Sequence, residues 1–160
     1  MNLRLRSALI ILLVVALDRI SKLYILGHVS ETDILPVIRN IFNIVHAENA
    51  GAAFSMFAGA PRYVRATLLI GVSLAVMAVI GVMLLRLPKH TSILTSVSLA
   101  MVFGGAFGNL WDRIFRGTVT DFLQVFIGAY EFPAFNVADS AITVGAALLA
   151  IDLWRSRKPA

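Results

Sequence analysis

A chain of 160 residues that is 59% hydrophobic and 14% charged carries more apolar surface than a domain of this size can bury within itself. The net charge of +5 does not mark a nucleic-acid binder, because Lys and Arg sit at the ends of apolar runs and form no stripe interleaved with aromatics. The absence of cysteine excludes disulfides, thiolate metal sites, cysteine nucleophiles and a Cys-linked lipid on this chain.

With a mean hydropathy of +0.85, this composition predicts a single integral membrane domain, residues 1–160, that is all-α apart from a small β element. Arg4 and Arg6 precede a nearly pure Leu/Ile/Val run from Ser7 to Leu17. Alone, that run reads as a signal-peptide core, with Val14-Val15-Ala16 as its cleavage pattern. The apolar character resumes through Tyr24, Ile25 and Leu26, so a span over residues 7–27 is the preferred reading. Asp18, Arg19 and Lys22 then lie inside or near its outer end. Asp18 and Lys22 are i,i+4 neighbours able to pair, and each charge at that depth costs about 2.5–3.5 kcal/mol. Either they meet a polar partner in the interior or they snorkel.

Residues 28–63 are polar and punctuated, and residues 36–46, rich in β-branched side chains, predict short strands. Asn49-Ala50-Gly51 suits a turn. His46 and Glu48 lack a second His or Cys at ligand spacing, so no metal site is predicted. Further spans follow at 64–86, 91–111 and 137–154, with a second outer loop at 112–136. Gly104 and Gly108 have the spacing that lets membrane helices approach closely. Four spans place both termini and the Leu87–His90 loop on one side, with Arg4, Arg6, Arg86, Lys89, Arg155, Arg157 and Lys158. That bias predicts cytoplasmic termini and outward-facing long loops.

Asn109, Asp112, Arg113 and Arg116 share one helical face, and Gly117 is a suitable C-terminal stop. In the extended stretch after it, alternation sets Asp121 on one face with Val119, Leu123 and Val125. Asn136 is a natural N-cap for the last span, which puts Asp139 at the third helical position. Capping alone explains Asp139, but two acids at similar depth on the outer side suggest more. Closely placed carboxylates cannot both ionise; one holds a proton while the other accepts one. Such a dyad can activate a water against a peptide carbonyl and protonate the leaving amine. The dipole at the start of the last span favours Asp121 as the proton's holder. A small proton-coupled transporter or channel subunit, or a non-catalytic assembly factor, remains an alternative.

The blocks Asp18-x-x-x-Lys22, Asn49-x-Gly51-Ala52-Ala53-Phe54-Ser55, Gly104-Gly105-Ala106-x-Gly108-Asn109-x-x-Asp112-Arg113 and Phe135-Asn136-x-Ala138-Asp139 resemble the bacterial lipoprotein signal peptidase family, signal peptidase II. Gly117, Val119 and Asp121-Phe122 belong to the same pattern. The blocks keep the family's order over nearly the whole chain. The resemblance implies an aspartyl endopeptidase of the bacterial cytoplasmic (inner) membrane, with its site toward the outer face. It removes signal peptides from prolipoproteins whose cleavage-site cysteine carries diacylglyceryl. Asp121 and Asp139 would be the catalytic pair. Asn49, Asn109, Arg113 and Asn136 would line the site, with Asp18, Lys22, Gly51 and Ala138 in support. A monomer in contact with lipid, inhibited by globomycin and needing no metal or cofactor, is the further implication.

Overall fold

The computed structural model describes residues 2–51, 61–88 and 90–156. Ala52, Ala53, Phe54 and Ser55 of the Asn49 block, and Lys89, Arg157 and Lys158 of the basic set, lie outside them. The elements in chain order are α1 (Leu3–His28), β1 (Ile34–Ile38), β2 (Phe42–Asn49), α2 (Arg62–Leu85), α3 (Ile93–Phe115), β3 (Val119–Ile127), β4 (Tyr130–Phe135) and α4 (Val137–Ser156). Among the described residues, three stretches are long and apolar enough to cross a membrane: Ala66–Leu85, Ile93–Phe115 and Val137–Ser156. The 26 residues of α1 are also long enough, but Asp18, Arg19 and Lys22 interrupt them.

The helices present large apolar side chains outward. Leu5, Leu9, Leu12, Leu13, Leu17, Ile20 and Leu23 of α1 are exposed, as are Val72, Val79 and Leu85 of α2. Burial is concentrated on α3, which packs against the other three helices. A cluster of Ile80, Leu84 and Leu99, joined by Ile11, Phe103 and Leu149, gathers side chains from all four.

Small residues make these approaches possible. An added Cβ at Gly104 would touch Val14 of α1 at 3.0 Å, and one at Gly145 would meet the Ser98 carbonyl at 2.9 Å. At Gly105 it would collide with the Ala138 carbonyl oxygen and lie 2.8 Å from Ile142. These glycines therefore serve close helix packing, as the Gly104/Gly108 spacing predicts. Gly105→Ala, facing backbone that cannot swing aside, is expected to lower stability by about 1–3 kcal/mol. Gly71→Ala, with nothing within 4 Å, should leave the thermal midpoint at or above wild type. Thermal unfolding in detergent compares the two directly.

The segment between α1 and α2 and the segment between α3 and α4 each contribute two strands to one antiparallel sheet of order β1-β2-β3-β4. A β element confined to the first loop therefore understates it: β3 and β4 come from the second. The stretch 119–127 reads locally as extended, but its partner is fixed by pairings such as Thr120 with Glu48 and Val119 with Asn49, about 70 residues away in sequence. Gly128, at φ +63°, turns β3 into β4. α3 also runs beyond residue 111, because Asp112 turns inward to α1. It ends where Gly117 adopts φ +78°. A second apolar cluster, Ile25, Val29 and Phe122 with Ile44, Leu123 and Val137, fastens the sheet to the C-terminal end of α1 and the N-terminal end of α4.

Candidate active site

A cavity of about 560 Å³ opens where β3, β4, α3 and α4 meet. Asn49, Asn109, Arg113, Asp121 and Asp139 form its polar side, and Val119, Phe132, Pro133, Phe135, Ile142 and Val144 supply apolar walls. Alternation along β3 puts Val119 and Asp121 into this space while Thr120 turns toward Glu48.

Asn136 organises the start of α4. Its backbone carbonyl accepts from Ser140 N–H at 3.1 Å, and its side-chain Oδ1 accepts from Asp139 N–H at 2.9 Å. Asp139 Oδ2 returns the contact by accepting from Asn136 N–H at 3.2 Å. This reciprocal box satisfies helix-terminal donors and fixes the Asp139 backbone. Capping therefore uses one Asp139 oxygen, and Oδ1 remains to accept from Asn109 Nδ2 at 2.7 Å. The Asn136 amide donates to Asp121 Oδ1 at 2.7 Å and to Asn109 Oδ1 at 3.2 Å. Asn49 donates to Asp121 Oδ2 at 3.0 Å while its own oxygen accepts from Gly51 N–H at 2.9 Å. That Asx turn is the physical content of the Asn-x-Gly spacing.

Asp18, Arg19 and Lys22, the charges in the middle of α1, are paired within the protein. Asp18 and Lys22 are fully buried, with Lys22 Nζ 2.8 Å from Asp18 Oδ2. Lys22 also donates to Asn109 Oδ1 at 3.0 Å and lies 2.8 Å from Asp112 Oδ2 in an ion pair without hydrogen-bond alignment. Asp18 Oδ1 accepts from the Ala138 N–H at 3.0 Å, so α1 caps α4 from outside its own chain segment. A Cβ at Gly108 would fall 2.5 Å from Asp18, which explains the glycine there. Arg19 pairs with Asp112 and lies over the Trp111 ring, 5.8 Å from its centroid.

Every site residue of the sequence reading thus falls in one connected region: Asn49, Asn109, Arg113, Asp121 and Asp139 at the cavity, and Asp18, Lys22, Gly51, Asn136 and Ala138 directly behind it. The predicted helical stripe divides, however. Asn109 and Arg113 face the cavity, Asp112 faces α1, and Arg116 leaves to bind Glu48 at 3.0 Å and Thr120. Asp112, which lies on the Asn109 stripe and in the family block but not among the predicted site residues, pairs with Arg19 and Lys22 behind the site. Glu48 and His46 belong to a sheet anchor: His46 contacts the Val29 carbonyl at 2.8 Å and Glu48 at 3.2 Å, and Thr118 and Thr120 donate to Glu48. Burial raises the Glu48 carboxyl, but hydrogen bonds from Thr118, His46, Thr120 and Arg116 outweigh it and leave it below its ordinary value.

Burial pushes Asp121 up from 3.8 to about 6; the Asn49 amide opposes this, the charge of Asp139 adds to it, and Asn136 and Lys22 pull it back. A carboxyl raised on folding stabilises the fold below its unfolded pKa and loses that contribution as pH rises through its folded value. The thermal midpoint should therefore fall between pH 4 and pH 7 by an amount worth up to about 3 kcal/mol. That component should vanish in Asp121→Asn, as the difference between the two melting profiles measures.

Four helices and a four-stranded sheet bring Asp121 of β3 and Asp139 of α4 to one half-apolar cavity, an arrangement suited to an enzyme. A solved bacterial membrane enzyme, determined by the in meso method at 2.3 Å, superposes with a TM-score of 0.85 and 29% identity over 97% of this chain and 93% of that one. The family model for signal peptidase (SPase) II matches residues 10–155. The lipoprotein signal peptidase of Syntrophus aciditrophicus is 41% identical over 91% of this chain and 90% of its own length. That of Pseudomonas fluorescens Pf0-1 is 45% identical over 92% and 86%. The chain belongs to the signal peptidase II family, and is thus a member of a family of proteases.

Proposed function

We propose that this chain is a membrane-embedded aspartyl endopeptidase that removes signal peptides from diacylglyceryl-modified prolipoproteins, with Asp121 and Asp139 sharing one proton. The observation that carries the reading is the placement of both acids on one cavity, bridged through the amides of Asn109 and Asn136. Charge balance supports it. Asp18 and Asp112 offset Arg19 and Lys22, which leaves Arg113 facing two acids. One shared proton makes the set neutral, as a site of low dielectric favours.

In the proposed reaction, the ionised carboxylate takes a proton from a water as its oxygen bonds to the scissile carbonyl carbon. The protonated partner supplies a proton to the amine as the C–N bond breaks, and the dyad returns with one proton. Asn109, Arg113, Asn136, Asn49 and Gly51 orient the pair, and Asp18, Lys22 and Ala138 hold the helix starts behind it. The apolar walls suit the small and aliphatic residues of an extended substrate.

Membrane embedding is supported by the outward apolar faces and by the internal pairing of every charge on the middle of α1. We place four spans in the bacterial cytoplasmic membrane, in a single domain, with both termini cytoplasmic. The sheet and cavity then face outward, and the chain acts as a monomer in lipid. Substrate acyl chains stay in the bilayer and fix the depth of the cleavage site, and the peptide antibiotic globomycin competes for the cavity.

The test is a purified, lipid-reconstituted protein given a precursor peptide with and without diacylglyceryl on its cysteine. Mass spectrometry should find a single cut immediately before the lipidated residue and none in the unmodified peptide. Equal cutting of both, or transport of protons without cutting, would remove the reading.

A further inference from the structure

Three asparagines turn amide N–H groups toward the two acids, and in each the direction is set by a donor that cannot accept. A side-chain amide has one accepting and one donating end, and either can be presented unless a neighbour chooses. For Asn49 the chooser is the Gly51 N–H, and for Asn136 it is the Asp139 N–H. Both are backbone groups fixed by a turn and a helix start. Asn109 lies within α3, where backbone N–H groups are already used by the helix. Its chooser is the Lys22 ammonium, which has three donors and no acceptor, at 3.0 Å from Oδ1.

We infer that Lys22 is a positioning residue whose task is to fix the sense of the Asn109 amide, so that Asp139 Oδ1 always meets an N–H and never a carbonyl oxygen. The inference rests on the dyad reading above and deepens it. The geometry around Lys22 suits this task. Its Nζ is fully buried and held between Asp18 on its own helix and Asp112 on α3, so it stays in place without touching the cavity. The charged groups facing the far end of the relay are Asp121 from β3 and Arg113 from α3, with Asp139 at the start of α4. Without the ammonium, the Asn109 sense is held by the Asn136 amide at 3.2 Å, itself engaged by Asp121 at 2.7 Å, and by Asp139 Oδ1, which selects the N–H only while that carboxyl is ionised. The Asn109 amide then inverts in part of the population, and those molecules set a lone pair against the carboxylate.

The discriminating variant is Lys22→Met combined with Asp112→Asn, which removes the ammonium and one neighbouring acid together and keeps the buried charge balanced. For the lipidated precursor, kcat per folded molecule should fall roughly 10- to 100-fold while KM stays within about threefold. A merely structural lysine would lower the thermal midpoint and leave kcat per folded molecule within about threefold, and that result overturns the inference. Asp112→Asn alone retains the Lys22–Asn109 bond and should lose much less kcat; a full loss there assigns the effect to Asp112 and likewise overturns it. If the double variant does not insert, magnetic-resonance measurement on the labelled wild-type protein decides. A direct dipolar coupling between Asn109 Nδ2 and the Asp139 carboxyl carbon is required, and its absence sinks the proposal. Asp139→Asn is run beside these: activity there removes the dyad reading itself, whereas an inactive Asp139→Asn with an unaffected double variant removes this inference alone.

Discussion

Asp139→Asn and Asp121→Asn are each expected to lower kcat by about 1,000-fold or more, with normal insertion and near-normal substrate affinity. The substitution keeps shape and volume but leaves a group that neither accepts a proton from water nor returns one. In Asp139→Asn the amide oxygen can still accept from the Asn136 N–H, so the start of α4 keeps its cap. In Asp121→Asn one of the donors Asn49 or Asn136 faces an NH₂ group, which costs a hydrogen bond, but the buried negative charge is gone. Loss of activity therefore comes with little loss of fold. The measurement is single-turnover cleavage of a lipidated precursor by each purified variant. Because the two acids act as a unit, the double variant should be no slower than either single one. Retention of even a tenth of wild-type activity in one of them contradicts the dyad.

Asn136→Ala should have the second-largest effect, because this fully buried side chain performs two tasks. It caps α4 through Oδ1 and joins Asp121 to Asn109 through Nδ2. Loss of the cap alone costs about 1 kcal/mol, and the unpaired groups left behind add a further 1–3 kcal/mol. Activity should fall about 100-fold or more. Asn136→Ser separates the tasks, since a hydroxyl can still accept from the Asp139 N–H but cannot span to Asp121. Its thermal midpoint should recover most of the loss while its kcat stays low. Recovery of kcat together with stability would show that only the cap matters.

These two expectations involve residues legible in the sequence for different reasons. Asn136 and Asp139 carry a local signature, an N-cap three residues before an acid at the start of an apolar run. Asp121 is visible as a charge on the apolar face of an alternating segment, and Asn49 as the first residue of an Asx turn. Each of these depends on neighbours a few residues away. What was not legible depends on distant ones. That Lys22 is enclosed by Asp18, Asn109 and Asp112, and that Asp18 caps Ala138 across 120 residues of chain, follows from how closely α1, α3 and α4 pack through Gly104, Gly105 and Gly108. The spacing of those glycines announces close packing but not which helix approaches which. Glu48 shows the same limit: beside His46 it is a weak metal pair in sequence, and only the β2–β3 register reveals it as the anchor for Arg116, Thr118 and Thr120. The family blocks include Asp18, Lys22, Asn109 and Asp112 without stating their contacts, and they do not include Glu48, Arg116, Thr118 or Thr120.

The most direct test of the shared proton is an infrared titration of the reconstituted protein at pH 5, counting protonated carboxyl groups in the wild type and in each single Asp→Asn variant. One protonated aspartate should be present in the wild type and missing from Asp121→Asn, because burial, which Asp139→Asn leaves in place, is the main reason the Asp121 carboxyl keeps its proton. A carboxylic-acid band that persists in both variants would place the proton on another acid, such as Asp18 or Asp112, and would contradict the account.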